Sequence, residues 1–148
     1  HPVSDSVLQQ KKLRCGYALV SPHLVKDPNT GQLSGPIFDI LTALGDILKW
    51  QIEWGEEFAF ATATEGLVAR RYDMLCASLF ARPNIMHIAD FVGPLYYATV
   101  NTYAKTGREA DYASRQALNT PDVRIGMIDG TIPQLIAQTD FPAASTVN

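Results

Sequence analysis

Apolar residues fall into short runs whose period changes along the chain, and each change marks an element. Residues 13–20 (LRCGYALV) form a mostly apolar run ended by Ser21-Pro22, the pattern of a buried strand. Residues 26–31 (KDPNTG) compose a turn, with Pro28 fixing one φ angle and Gly31 supplying a positive one. After Gly35-Pro36 the period shifts: Ile37, Ile40, Leu41, Leu44, Ile47 and Leu48 recur at helical spacing, with Pro36 suited to the first turn. Residues 51–54 then read as a second strand, 62–71 as a second helix and 72–79 (YDMLCASL) as a third buried strand. Strands alternating with helices predict a parallel sheet covered by helices on both faces, an α/β fold.

Further on, residues 83–87 read as a short helix and 96–104 as a longer β-prone run. The polar stretch 106–121 is a linker carrying a helical turn. A new unit follows, with a strand at 123–128, a tight turn at Asp129-Gly130-Thr131 and a helix at 132–138. One strand and one helix cannot cover their own apolar face, so this second unit is expected to be incomplete. The expected organisation is a flexible N-terminal segment (1–12), a first lobe (13–98), a hinge strand and linker (99–121) and the start of a second lobe (122–148).

Composition adds limits. The 148 residues are 47% hydrophobic and 18% charged, with a formal net charge of −3. That balance suits a folded domain and disfavours a nucleic-acid partner; the basic pairs Lys11-Lys12 and Arg70-Arg71 read as helix ends. No apolar run is long enough to span a bilayer as a helix. Residues 1–6 lack the basic and apolar regions of a signal peptide, so an exported chain would have lost its signal before this point. Cys15 and Cys76 each lie inside an apolar run and read as buried free thiols. A bridge would need their strands to be neighbours, and flat parallel neighbours give poor disulfide geometry. There is no phosphate loop, no G-x-G-x-x-G, no His/Glu zinc motif and no C-x-x-C, and His1, His23 and His87 are scattered. Neither a metal nor another cofactor is expected.

Five stretches in order resemble the type II periplasmic solute-binding proteins that feed ABC importers. Leu13-Arg14-Cys15-Gly16 is similar to the opening strand, and Gly31–Gly35 with Phe38-Asp39-Ile40-Leu41 to the turn and first helix. Tyr72-Asp73-Met74-Leu75 with Ala77-Ser78-Leu79 resembles the strand that ends at the cleft. Ala89-Asp90-Phe91 with Pro94-Leu95-Tyr96-Tyr97 resembles the segment before the hinge, and Val123–Thr131 the opening of the second lobe.

The resemblance implies two α/β lobes, with ligand bound at the carboxyl ends of the strands. It implies a periplasmic or otherwise extracytoplasmic protein that captures a small organic acid, amine or amino-acid-like ligand for the membrane permease of an ABC importer. The alternatives are a sensor domain, or an enzyme of dehydratase or lytic type on the same scaffold, for which Glu56, Glu57, Glu65 and His23 would be the candidates. The binding reading carries no catalytic residues. Its expected ligand contacts are Tyr17 and His23 flanking the end of the first strand, Phe60 before the second helix (which could equally pack on the core), Ser78 and Leu79 at the third strand's end, Arg82, and the Gly130-Thr131 turn. That turn could bind an anion at a helix N-terminus, or Thr131 could simply cap the helix. The chain departs from the family pattern in two respects, one being that Arg70-Arg71 replaces the usual small glycine turn before Tyr72-Asp73. In the other, the arginine that grips a ligand carboxylate in amino-acid-binding members is replaced by Ile85, and the threonine three residues earlier by Arg82. Either Arg82 reaches in from one turn earlier or, the favoured reading, the ligand is not a simple α-amino acid.

Overall fold

The computed structural model describes residues 2–148; His1 lies outside them. Contacts divide the chain into two units, one ending at Phe91 and the other Val92–Asn148. The sequence had suggested a boundary at 98/99.

The first unit begins with helix α1 (Pro2–Gln10) and strand β1 (Lys12–Tyr17). A hairpin of β2 (Val25–Lys26) and β3 (Leu33–Ser34) follows, its turn tied by the Asp27 carboxylate, which accepts from the Asn29 and Thr30 amides, each at 2.8 Å. Next come α2 (Pro36–Leu48), β4 (Gln51–Glu57), a 3₁₀ turn (Phe60–Thr62), α3 (Ala63–Val68), β5 (Met74–Leu75) and α4 (Pro83–Met86). Strands β4, β1 and β5 form a parallel sheet with β1 in the centre.

Successive residues of a strand point to opposite faces, and β1 uses both. Leu13, Cys15 and Tyr17 pack with Ile37 and Leu41 of α2. Gly16 faces the other way, toward Tyr72. Its missing side chain is required there, since an added Cβ would lie 2.7 Å from the Tyr72 ring. Gly66 of α3 also meets this ring, and a Cβ there would lie 2.1 Å away. The ring therefore packs against two glycines, and its hydroxyl donates to the Ala63 carbonyl at 2.6 Å. Burial pushes the Tyr72 hydroxyl pKa up, so this donor stays protonated.

Helix α2 starts where the sequence places it. Pro36 occupies the first turn, and Gly35 takes a φ of 109°, with the His23 carbonyl only 2.8 Å from where a Cβ would stand. Ile37, Leu41 and Gly45 are buried, whereas Ile40, Leu44, Ile47 and Leu48 are exposed. The apolar stripe that reveals the helix is wider than its contact with the core.

Several elements differ from expectation. The N-terminal residues, read as flexible, form α1 and put Val7 in the core. They were missed because the segment carries few apolar positions and no repeating stripe. The second helix covers only Ala63–Val68, and Arg70 turns the chain at a left-handed φ of 57°. The third strand shrinks from 72–79 to Met74–Leu75: β1 stops at Tyr17, and residues beyond Cys76 find no ladder partner. The β-prone run 96–104 forms no strand and is exposed, because propensity without a paired neighbour does not make a strand.

The cysteines are also corrected. Cys15 and Cys76 form a disulfide, and both are buried. The expectation of free thiols rested on flat parallel geometry. Cys76, however, follows β5 directly with its amide still bonded to Gly16 of β1, and its Cα comes to 5.4 Å from that of Cys15.

In the second unit a 3₁₀ turn (Glu109–Tyr112) and α5 (Arg115–Leu118) precede β6 (Arg124–Gly126), α6 (Ile132–Asp140) and β7 (Ser145–Val147). β6 and β7 pair in parallel, so a second strand exists where the sequence suggested one alone. Arg115 ties α5 to α6, bonding Asp140 at 2.6 Å and lying over the Phe141 ring. Among the described residues no helix is long and apolar enough to cross a membrane.

β5 is also held at its start. The Arg14 guanidinium bonds both oxygens of Asp73, at 2.7 and 3.0 Å, and the Arg14 amide donates to the same carboxylate at 3.0 Å. Burial alone would raise the Asp73 pKa, but these bonds and the charge of Arg14 outweigh it and the pKa falls below its ordinary value. A lowered folded-state pKa means the pair contributes fully above the ordinary carboxylate range and is lost as pH falls through the folded value. Urea unfolding of the wild type should therefore show stability declining below about pH 4, a decline that Asp73→Asn blunts. At neutral pH Asp73→Asn should cost about 1–2 kcal/mol, the partly exposed Arg14 recovering some hydration. Gly66→Ala should cost about 1–3 kcal/mol through overpacking against Tyr72. Gly93→Ala, with nothing within 4 Å, should stay within about 0.5 kcal/mol of wild type.

Candidate functional site

The carboxyl ends of three parallel strands lie side by side in the first unit, and register fixes what they carry. Tyr17 pairs with Glu57, the Phe58 amide donates to the Tyr17 carbonyl at 2.8 Å, and the Cys76 amide donates to the Gly16 carbonyl at 2.7 Å. The loops that follow bring Phe60 after β4 and Ser78 and Leu79 after β5 to this same edge. This is the edge at which open α/β sheets bind ligands.

The predicted residues have unequal roles there. Tyr17 is buried in the core, edge-on to Trp54 at 5.9 Å between ring centroids. Phe60 is half-buried, opens the 3₁₀ turn and meets Phe58 edge-on, packing against the cluster of Ala18, Phe58, Ala63 and Tyr72. His23 follows the bend after β1, and its carbonyl accepts the Ile37 amide at 3.0 Å, joining this loop to the start of α2. Ser78 differs in kind. Its hydroxyl oxygen is buried and has no hydrogen-bond partner among the described residues. Leu79 beside it is half-buried.

Arg82 precedes α4, where its carbonyl accepts from the Ile85 and Met86 amides; its side chain is half-exposed and forms no salt bridge among the described residues. Ile85, which stands in the place of the expected arginine, is buried and anchors α4. Two carboxylates at the end of β4 complete the edge. Glu56 accepts from Arg71 at 2.8 Å, a bond that raises the Arg71 pKa and keeps it charged, and Glu57 lies 4.0 Å from Lys26 of the hairpin. The second contact is at the limit of an ion pair, so Glu57 is the less committed of the two. Among the described residues no group of His, Cys, Asp and Glu could hold a metal.

Gly130 and Thr131 lie in the second unit, at the start of α6. Thr131 does not cap the helix with its side chain; its hydroxyl donates to the Ile128 carbonyl instead. The Gly130 amide donates to the Gln134 side-chain oxygen at 2.9 Å, and Gln134 in turn donates to Asp129 at 2.8 Å. The turn is thus closed by its own side chains, a contact that sequence spacing does not reveal. The second unit also has a groove of about 390 Å³ lined by Val100, Tyr103, Ile125, Met127, Ile136 and Phe141 among others, and none of the predicted residues lines it.

Residues 13–141 match the family described as bacterial extracellular solute-binding proteins, family 3. No curated protein sequence matches the chain. Among solved structures, it resembles an ancestral amino-acid-binding protein described as a precursor of cyclohexadienyl dehydratase, with a TM-score of 0.86 and 24% identity, over 99% of this chain and 64% of that one. A Streptococcus pneumoniae amino acid ABC transporter substrate-binding protein bound to L-arginine gives a TM-score of 0.77 at 19% identity, over 97% of this chain and 60% of that one. The putative binding component of an ABC transporter from Wolinella succinogenes, complexed with lysine, gives 0.76 at 18%, over 94% and 59%. The chain thus spans less than two thirds of the length of these structures. At such identities the likeness establishes the fold, a type II periplasmic-binding-protein architecture over part of its length.

An unpartnered buried hydroxyl is a local destabilisation that alanine removes. Ser78→Ala should leave stability unchanged or raise it by up to about 1 kcal/mol in urea unfolding. A loss of more than about 1 kcal/mol would mean the hydroxyl is already engaged within the fold.

Proposed function

Because this chain belongs to the bacterial extracellular solute-binding proteins of family 3, we propose that it captures a small amino-acid-like solute at the carboxyl ends of β1, β4 and β5. The observation that carries the reading is the Ser78 hydroxyl, buried and unpartnered at the end of β5. Such a group is costly to keep unless something supplies its hydrogen bond, and a bound polar solute does so. Arg82 and Glu57 give this edge one cation and one anion with little prior commitment, which suits a ligand carrying both charges. Relatives described as bound to L-arginine or complexed with lysine support that class. In this reading Arg82 takes over the ligand carboxylate from the position Ile85 now fills.

The solute is delivered outside the cytoplasm to the membrane permease of an ABC importer, as the family and the transporter relatives suggest. A disulfide in the core suits an oxidising compartment. We favour binding over catalysis: of the carboxylates an enzyme here could use, Glu56 is already held by Arg71.

Isothermal titration of the chain with L-arginine, L-lysine and the carboxylate-free analogue agmatine tests the reading. Arg82→Ala should weaken the two amino acids by roughly tenfold or more and leave agmatine nearly unchanged, as loss of a charged hydrogen bond implies. If no amino acid, organic acid or amine binds the wild-type chain, the reading is wrong.

A further inference from the structure

We propose that the Cys15–Cys76 disulfide is a positioning element of the ligand site, holding the exit of β5, and with it Ser78 and Leu79, against the end of β1. The inference takes the strand ends as the site, as argued above. It starts from how little else holds this exit. β1 pairs with β4 over six residue pairs but with β5 over only two, Cys15 with Met74 and Gly16 with Leu75. After the Cys76 amide donates to Gly16, residues 77–81 make no backbone hydrogen bond among the described residues until α4 begins.

The bridge is placed where this leaves a weakness. Cys76 is the last residue of the segment bonded to β1, and Ser78 is two residues beyond it. Cys15 is wholly buried in the centre of the best-paired strand, flanked in the core by Leu13 and Tyr17. A covalent link from that fixed point limits how far the Ser78 backbone can drift, and a hydroxyl must be held within a fraction of an ångström to bond a ligand well. Asp73, at the other end of β5, has its own clamp in Arg14 and does not depend on the bridge.

Hydrogen exchange on the full chain, read by NMR at three amides, separates positioning from general stabilisation. The three are Phe58, bonded to Tyr17 between β4 and β1; Asp73, bonded to Arg14 at the start of β5; and residue 76, bonded to Gly16. The thiol form is prepared by reducing the unfolded chain with a water-soluble phosphine, which yields two thiols and the phosphine oxide with oxygen from water, and refolding under reductant. Cys15→Ala/Cys76→Ala provides a second version that cannot re-form the bond. Positioning predicts that the residue 76 amide loses at least about tenfold more protection than Phe58 and Asp73. Equal loss at all three, or failure of both forms to fold, would make the bridge a general staple and overturn the proposal. The ligand readout is a separate arm: affinity for L-arginine should fall about tenfold or more in the thiol form at a temperature where it stays folded, and an unchanged affinity also overturns the proposal. Failure of the oxidised chain to bind any probe would count against the proposed function alone, because the exchange readout needs no ligand.

Discussion

The attachment of β5 to β1 is the constraint on which the first unit depends. Two residue pairs make a poor ladder, since strands in folded domains usually run to five or six residues. The short strand is instead gripped at both ends, by the fork of Arg14 on Asp73 and by the Cys15–Cys76 bond. The bridge closes a loop across a separation of 61 residues, which in the chain-entropy view is worth about 4 kcal/mol. The ion pair adds about 1–2 kcal/mol, because the carboxylate is well buried while the guanidinium keeps part of its hydration. These two clamps replace hydrogen bonds that a longer strand would have made.

The clamps leave room for Tyr72. A residue at the entry of a regular strand would point its side chain away from the sheet or into a neighbouring layer. Here Tyr72 lies across Gly16, with Gly66 of α3 closing over it. One ring therefore sets the height of α3 above the sheet, and its hydroxyl pins the start of that helix at Ala63. Phe60 and Ala77 pack on the same cluster, so the ring that fixes α3 also supports the loops on either side of the ligand edge. Fold and candidate site thus share the packing around Tyr72.

What could be read from the sequence follows from how local each signal is. Helix α2 was legible because its stripe, its Gly35-Pro36 entry and its termination all lie within fifteen or so residues of one another. β1 and β4 were legible as apolar runs. The ends of β5 were not, because they are set by where β1 stops, a fact of pairing that no local window contains. The disulfide was misjudged for a related reason: the flat ladder geometry assumed at Cys76 depends on where β5 ends, which is set by pairing. Propensity misled at 96–104, where β-prone residues have no partner strand. Among the expected contacts, Ser78 entered through the family resemblance, and its unpartnered buried hydroxyl could not be read from the sequence. Tyr17 carried an aromatic signal, yet its ring is spent largely on the core beside Trp54.

Two of the stretches expected to meet a ligand also differ in what binding would require of them. At the end of β5 the Ser78 oxygen lacks a partner, so a ligand hydrogen bond there is gained with nothing broken. At the start of α6 the Gly130 amide already has Gln134, and Gln134 has Asp129. An anion at that turn must first displace the Gln134 oxygen, giving up a bond worth about 1 kcal/mol, and must then sit beside the Asp129 carboxylate. Both terms oppose an anionic group, even though a helix N-terminus ordinarily favours one. Residue identity therefore overrides the helix dipole here. The usual arginine position is filled by Ile85 and this turn is closed from within, whereas the half-exposed Arg82 has no salt bridge among the described residues.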